Sequence, residues 1–463
     1  MLPISHRLFH RSKPNEIIPI IMFGVGVAVA ATGLRYLIQA GKRMKEMEKE
    51  ESELKKSSTV SADTTQFVGK AEQMMGPAFG LDFGSANIRL AVCSDPNASP
   101  IVIESKEGFR FTPAMLFYDE MSGQPIVGNL AKTQRFQNRN STIRNLQPLI
   151  GLQSKSPNFN ALSSKVKQCV KESDNGHLVL EVGGKSVSVD EAVSALLENM
   201  KRLKDHKIGE GGAVTLSHPS NFNATQINQL EKIGSDAKLN VCGTVEEPIA
   251  AVKAAIEFGY LADKDLRGII AVVDVGGGVG SCSLVDLSTE AKVVGKSHDY
   301  GIGGDYMEDV LVREMNEKFM RDTNGLDLMN DPLSLSRLYE AAESSKVELS
   351  LSQKSSINIP FITADQTGPK HFEMELSRAK FEQMIDSLVE RISEPCQKSL
   401  DEAGISLDKV SAVLLVGGCS RIPKLQERVK SYFKKSAIVA PNAEELVVLG
   451  SALHARSKIY AQK

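Results

Sequence analysis

Two kinds of hydrophobic pattern divide this chain. Near the start, Ile17 to Leu34 (IIPIIMFGVGVAVAATGL) carries no charge, with Arg7, Arg11 and Lys13 before it and Arg35, Lys42, Arg43 and Lys45 after it. A run of this length suits one crossing of a bilayer, with Arg35 snorkelling to the headgroups, and it exceeds the apolar core of a cleaved signal peptide. It predicts a tail at 1–16 and a retained single-span anchor at 17–40. Basic residues on both flanks leave the orientation open. Lys42 to Lys56 is almost all charge with Glu–Lys spacings that support a solvated helix, and Ser57 to Thr65 is too polar to fold alone, so 41–77 reads as charged helix and linker. From Ala78 onward, short apolar runs alternate with amphipathic helical patterns, which predicts an α/β architecture.

Composition narrows the partners. The 463 residues allow two or three domains, and 41% hydrophobic content can fill a sizeable core. Lys plus Arg number 55 against 57 Asp plus Glu, a net charge of -2, so no basic field exists to hold nucleic acid. The six cysteines lie far apart without a C-x-x-C pair, which predicts reduced core thiols and no Cys/His metal cage. Asn97, Asn140 and Asn223 stand in N-x-S/T sequons, which matter if the domain faces the lumen of the endoplasmic reticulum. His218 and the pair Met74 and Met75 are read as turn or cleft-wall and packing residues, with no chemical role.

Two apolar runs resemble each other. Phe79 to Ser85 (FGLDFGS) leads into the strand-like Ile88 to Val92, and Ile270 to Gly278 (IAVVDVGGG) leads into Ser283 to Val285. In each, a strand ends near an Asp and turns through glycine. Glycines at Gly84 and at Gly276, Gly277 and Gly278 let backbone N–H groups curl round a phosphate oxygen, while Asp82 and Asp274 can hold a hydrated Mg²⁺ on the same phosphates. Two such loops half a domain apart predict duplicated lobes facing each other across a nucleotide cleft, 78–263 and 264–463. A third turn, Val413 to Pro423 (VLLVGGCSRIP), takes an apolar strand into a helix whose free N–H groups favour an anion.

These residues resemble the VGGxxRIP loop and the two phosphate loops of the seventy-kilodalton heat-shock proteins, and the resemblance extends from about Ala78 to Lys458. It implies an actin-like, ribonuclease-H-like ATPase domain of two lobes that binds ATP or ADP with Mg²⁺. It further implies site roles. Gly128 to Gln134 resembles the stretch carrying the family's catalytic lysine, which assigns that role to Lys132. Glu246 to Ala251 resembles the EPTAAA turn and places Glu247 near the metal and the attacking water. Gly301 to Asp305, with Gly303 and Gly304, resembles the LGGEDF turn near phosphates and ribose. Glu343, Lys346 and Ser350 share one helix face at three- and four-residue spacing and match ribose and adenine contacts. Ser85 and Ala86 fall in the first phosphate loop; Gly417, Gly418 and Arg421 fall in the adenosine-side loop. Asn442 to Ala455 is similar to the closing helix, with Gly450 close to the nucleotide. Only eight residues follow Ala455, so the peptide-gripping β-sandwich of full-length members, and with it a client groove, is not expected in this chain.

Departures from the pattern bear on activity. Ser85, Ala86 and Asn87 stand where the family has Thr, Thr and Tyr; Val279 and Ser281 replace a Thr and an Asp; Val347 replaces the Arg that stacks on adenine, a contact worth about 0.5–2 kcal/mol. Lost ligands at the periphery predict slow or marginal hydrolysis with nucleotide binding retained. The expectation is a membrane-anchored ATPase module of the protein-folding machinery, working with a J-protein, an exchange factor or another chaperone. The alternative is a catalytically weak scaffold that regulates other chaperones; a metabolite kinase on this fold lacks a candidate general base. The stretch GVGVAVAATGLRYLIQA resembles the anchor of small mitochondrial inner-membrane J-proteins, which directs localisation to that membrane, with the endoplasmic reticulum as the alternative.

Overall fold

The computed structural model describes residues 76–460 except 120, 157–158, 161, 163–168, 174–175 and 177. The predicted tail, anchor and charged helix lie outside these residues. Among the described residues no helix is long and apolar enough to cross a membrane.

Two sheets repeat one plan. In the first, β1 (Ala78–Phe83) pairs antiparallel with β2 (Asn87–Cys93) on one side and parallel with β3 (Ala213–His218) on the other, and β3 continues to β4 (Val241–Glu246). In the second, β5 (Ile269–Val275) pairs antiparallel with β6 (Gly280–Asp286), which leads to β7 (Lys292–Asp299), and parallel with β8 (Val410–Val416). The duplicated plan read from the two Asp-Gly runs is therefore present as strand order. Every residue of β1 and of β3 is buried, as expected for parallel strands covered on both faces, which is why their sequences are mostly apolar, broken by Asp82 in β1 and by Thr215, Ser217 and His218 in β3.

Five helices matter for the cleft. They are α1 (Asn129–Gln134), α2 (Glu247–Glu257), α3 (Gly304–Asp322), α4 (Pro332–Leu351) and α5 (Leu446–Tyr460). The long α4 starts where Asp331 accepts the N–H groups of Leu333 and Ser334, and Pro332 supplies a φ suited to a first turn. Each sheet has its own apolar core. A third core joins the two, in which α2 and α5 meet through small residues: Ala250, Ala251, Ala254 and Ala255 from one, Ala452 and Ala455 from the other.

Backbone lies on backbone in this third core. A methyl added at Gly80 of β1 would sit 2.2 Å from the Ala452 nitrogen, and one at Gly450 would sit 1.7 Å from the Ala250 carbonyl oxygen. Glycine is required at both places by space alone. All six cysteines are free thiols, four of them buried.

Candidate functional site

The turns after β1 and β5 close with the same bond. Gly84 N–H donates to the Asn87 carbonyl and Gly276 N–H to the Val279 carbonyl, each at 3.1 Å. The two turns touch, since a methyl on Gly277 would lie 2.5 Å from the Ala86 Cβ. The start of α3 is tied to them: Gly304 N–H donates to the Gly276 carbonyl at 3.0 Å and Asp305 N–H to the Gly277 carbonyl at 2.8 Å. Gly417, at φ +82°, passes so close beneath Asp274 that a Cβ would stand 2.4 Å from the carboxylate, so conformation and space both demand glycine there. The turn it opens is a short 3-10 segment, Gly418–Arg421, and the predicted helix starts after it at Pro423.

Between these turns lies a cavity of about 500 Å³, the size of a small-molecule site. Its floor is acidic. Asp82 is buried and accepts a hydrogen bond from the Ser217 hydroxyl at 3.1 Å. Burial raises its proton affinity, against the lowering effects of Arg89 and of Ser217. Burial and the charge of Asp82 push Asp274 up to about 7, with Arg89 pulling the other way. Glu247, the first residue of α2, is raised well above the usual carboxylate range by burial and by Asp82 and Asp274, an effect moderated by a hydrogen bond from Gln147. These three carboxyls, Asp82 buried and Asp274 and Glu247 half-buried, have their proton affinity raised chiefly by removal from water, and together they make the floor acidic.

A bridge of neutral groups crosses the floor. The Ser85 hydroxyl donates to Gln147 Oε1 at 2.9 Å, and Gln147 Nε2 donates to Glu247 Oε1 at 2.9 Å. Gln147 thus fixes Glu247 relative to the first phosphate loop. The opposite wall comes from α4. Lys346 Nζ lies 2.6 Å from Glu308 Oε1; burial lowers its proton affinity but the Glu308 carboxylate outweighs that and raises it. Val347 and Leu351 line the same wall one turn apart, and Val347 is 57% exposed, an apolar surface where a flat ring can lie.

Of the residues expected from the sequence, Asp82, Glu247, Asp274, Gly84, Ser85, Ala86, Gly276, Gly277, Gly278, Gly304, Glu343, Lys346, Ser350, Gly417, Gly418 and Arg421 line the cavity. Lys132, Gly303 and Gly450 are not among its lining residues. Gly303 acts one layer back, where a Cβ would stand 2.3 Å from the Gly277 carbonyl oxygen. Gly450 packs on Ala250 rather than facing the cleft, so its need for glycine comes from the contact between helices. Lys132, on the short α1 and given by the resemblance as the catalytic lysine, reaches 2.6 Å from Glu343 Oε2 at the rim.

That contact is part of a clasp across the cleft. Beside it the rings of Phe136 and Tyr339 stack with centroids 4.7 Å apart, and the Arg135 guanidinium lies 4.7 and 4.8 Å from the two centroids. Deeper in, Arg144 pairs with Asp305 at 2.5 Å. The Lys132–Glu343 pair is partly exposed, and such pairs contribute about 0.2–1 kcal/mol. Lys132→Ala should therefore speed release of a fluorescent ADP analogue about two- to fivefold in stopped flow; an unchanged release rate would show that the clasp does not hold the cleft.

Gln147 and Arg89 are absent from the expected set. Gln147 sits in a 3-10 turn with no motif around it, and its role depends on partners 62 and 100 residues away. Arg89 did carry a signal, as a charge inside the apolar run Ile88 to Val92 directly opposite Asp82.

Two copies of one sheet, each bringing an acidic strand end and a glycine turn to a shared cleft, define a nucleotide-binding domain of the actin-like class. Residues 78–459 match the family model described as Hsp70 protein, and the chain belongs to that family. ATP binding and a chaperone-type ATPase domain are properties of this family, as are ADP and Mg²⁺ as ligands and J-proteins and exchange factors as partners.

Proposed function

We propose that this chain is a membrane-tethered adenine-nucleotide switch of the chaperone class that hydrolyses ATP slowly. The observation that carries the reading is the carboxyl trio Asp82, Asp274 and Glu247, lining one cavity between two matching glycine turns. The turns offer backbone N–H groups to the phosphates, and the α4 wall offers Val347 and Leu351 to the base with Glu343, Lys346 and Ser350 beside it. Asp82 and Asp274 make an all-oxygen donor pair that fits a hard divalent cation held through its waters. Among the described residues no cluster of three or more His, Cys, Asp or Glu is placed to ligate an ion directly. When bound there, Mg²⁺ neutralises phosphate charge.

Glu247 is the group suited to take a proton from water. Its raised proton affinity brings it nearer neutrality, where a general base works best, and the Gln147 amide holds one of its oxygens in place. In single-turnover reactions of the full-length protein loaded with ATP and Mg²⁺, wild type should cleave slowly. Glu247→Gln should still bind ATP but cleave it about 100-fold more slowly or worse. Equal rates would remove Glu247 from the mechanism.

A second reading is favoured by a specific observation. The group bridging the first loop to Glu247 is a neutral amide, Lys132 is paired with Glu343 at the rim, and Lys346 on the opposite wall is paired with Glu308. Bound ATP that stays intact in the same experiment would make the protein a nucleotide-gated scaffold whose partners, a J-protein or another chaperone, carry the chemistry. The anchor at 17–40 would fix either device at a membrane, and the mitochondrial inner membrane is the one we propose.

A further inference from the structure

The two acidic strand ends match, but the strands that return from them differ. Across the antiparallel ladder Asp82 faces Arg89, whereas Asp274 faces Ser281. Directly opposed residues in such a pair project to one face with Cβ atoms about 5 Å apart, and Asp82 and Arg89 both line the cavity. Among the described residues Arg89 has no hydrogen-bond or ion-pair partner. Its guanidinium carbon lies 5.8 Å from the centre of the Phe111 ring, which supports one side of the group and leaves its N–H donors to the cavity.

A guanidinium keeps its charge at any working pH, and its planar fork matches two oxygens of a phosphate. This one also acts on both acidic strand ends, lowering the proton affinity of Asp82 and of Asp274 against the burial that raises it. A polyanion entering a floor of three carboxyls meets repulsion unless a cation stands there. The second lobe supplies only the hydroxyl of Ser281; the first supplies a fixed positive charge.

We propose that Arg89 is a built-in counter-cation that binds the terminal phosphates of the nucleotide directly, so that nucleoside di- and triphosphates are retained when divalent ions are removed. This rests on the nucleotide-binding reading above. The phosphates then gain one bidentate contact that Mg²⁺ does not provide, and removing the metal costs the complex only part of its charge balance.

The test is the affinity of the full-length protein for ADP and for adenosine, in excess Mg²⁺ and in excess EDTA, for wild type, Arg89→Gln and Arg89→Lys. Chelation should weaken ADP binding by wild type less than about tenfold, and that by Arg89→Gln about 100-fold or more, the scale expected for loss of a buried charged contact. Arg89→Lys keeps the charge without the fork and should fall between. Adenosine, which has no phosphate, should bind all three alike and so reports that the variants are folded. Wild type that loses ADP on chelation while still binding adenosine overturns the proposal. So does an Arg89→Lys protein that binds adenosine normally and ADP in EDTA as tightly as wild type. If neither ligand binds wild type under any condition, the nucleotide reading itself has failed.

Discussion

Replacing Asp274 with Asn should make the nucleotide-free protein more stable at neutral pH while weakening its use of Mg²⁺. The cause is the raised proton affinity of this carboxyl, up to about 7 from 3.8. Between those values the folded protein keeps a proton that the unfolded chain has released. Stability from this group is therefore complete below about pH 4 and is lost as pH rises through about 7. Asparagine never ionises, so the variant escapes that loss. Denaturant titrations should show a gain on the order of 4 kcal/mol at pH 8 that shrinks toward zero near pH 4. With ADP, the gain in affinity on adding Mg²⁺ should fall at least about tenfold, since a charged ligand has become a neutral one. Parallel stability curves for variant and wild type would mean that Asp274 is ionised in the empty cleft and that its neighbours, Arg89 above all, already neutralise it.

Gly450→Ala should damage the fold more than any change at the rim. The added methyl would lie 1.7 Å from the Ala250 carbonyl oxygen and 2.3 Å from its carbon, and neither atom is the end of a flexible side chain. Relief requires α5 to move away from α2, and α5 cannot move without leaving β1, where Gly80 holds it just as closely. Overpacking usually costs 1–3 kcal/mol, and a clash of backbone on backbone belongs at or above the top of that range, about 3 kcal/mol or more. Gly418→Ala serves as the comparison, because nothing lies within 4 Å of the position a Cβ would take. A Gly450→Ala protein that melts with wild type would show that the helices are farther apart than this.

The architecture was legible because its decisive signals are local. β1, β5 and β8 are mainly apolar runs, and the repeated Asp-then-Gly pattern marks where the first two of them turn. The residues that the resemblance singled out mostly line one cavity, since loops that wrap phosphates draw their specificity from consecutive residues. The resemblance did not show that Lys132 pairs with Glu343 or that Gly450 packs on Ala250. The seven residues around Lys132 say that α1 exists, but where its lysine points depends on Glu343, far along the chain. Gly450 looks like a close-approach glycine and is one; only packing tells which surface comes close. Gln147 could not be read at all, because a glutamine in a short turn acquires meaning from Ser85 and Glu247 alone. Arg89 was readable from the ladder register, which pairs it with Asp82, and a strand-by-strand alternation test would have found it.

The seam between α2 and α5 has a mechanical consequence. Large interlocking side chains resist sliding, because each must change rotamer before its neighbour can pass. Where Gly450 lies on Ala250 and alanine methyls of the two helices meet, the surface offers little relief to interlock. The lobes can thus shear past each other along this seam by small translations while the strands above it stay intact. Opening at the rim, where the aromatic and ion-pair clasp lies, becomes the far end of a lever whose pivot is greased with methyl groups. Enlarging an alanine such as Ala254 or Ala455 would stiffen that pivot, slowing the exchange of nucleotide from a place that never touches it.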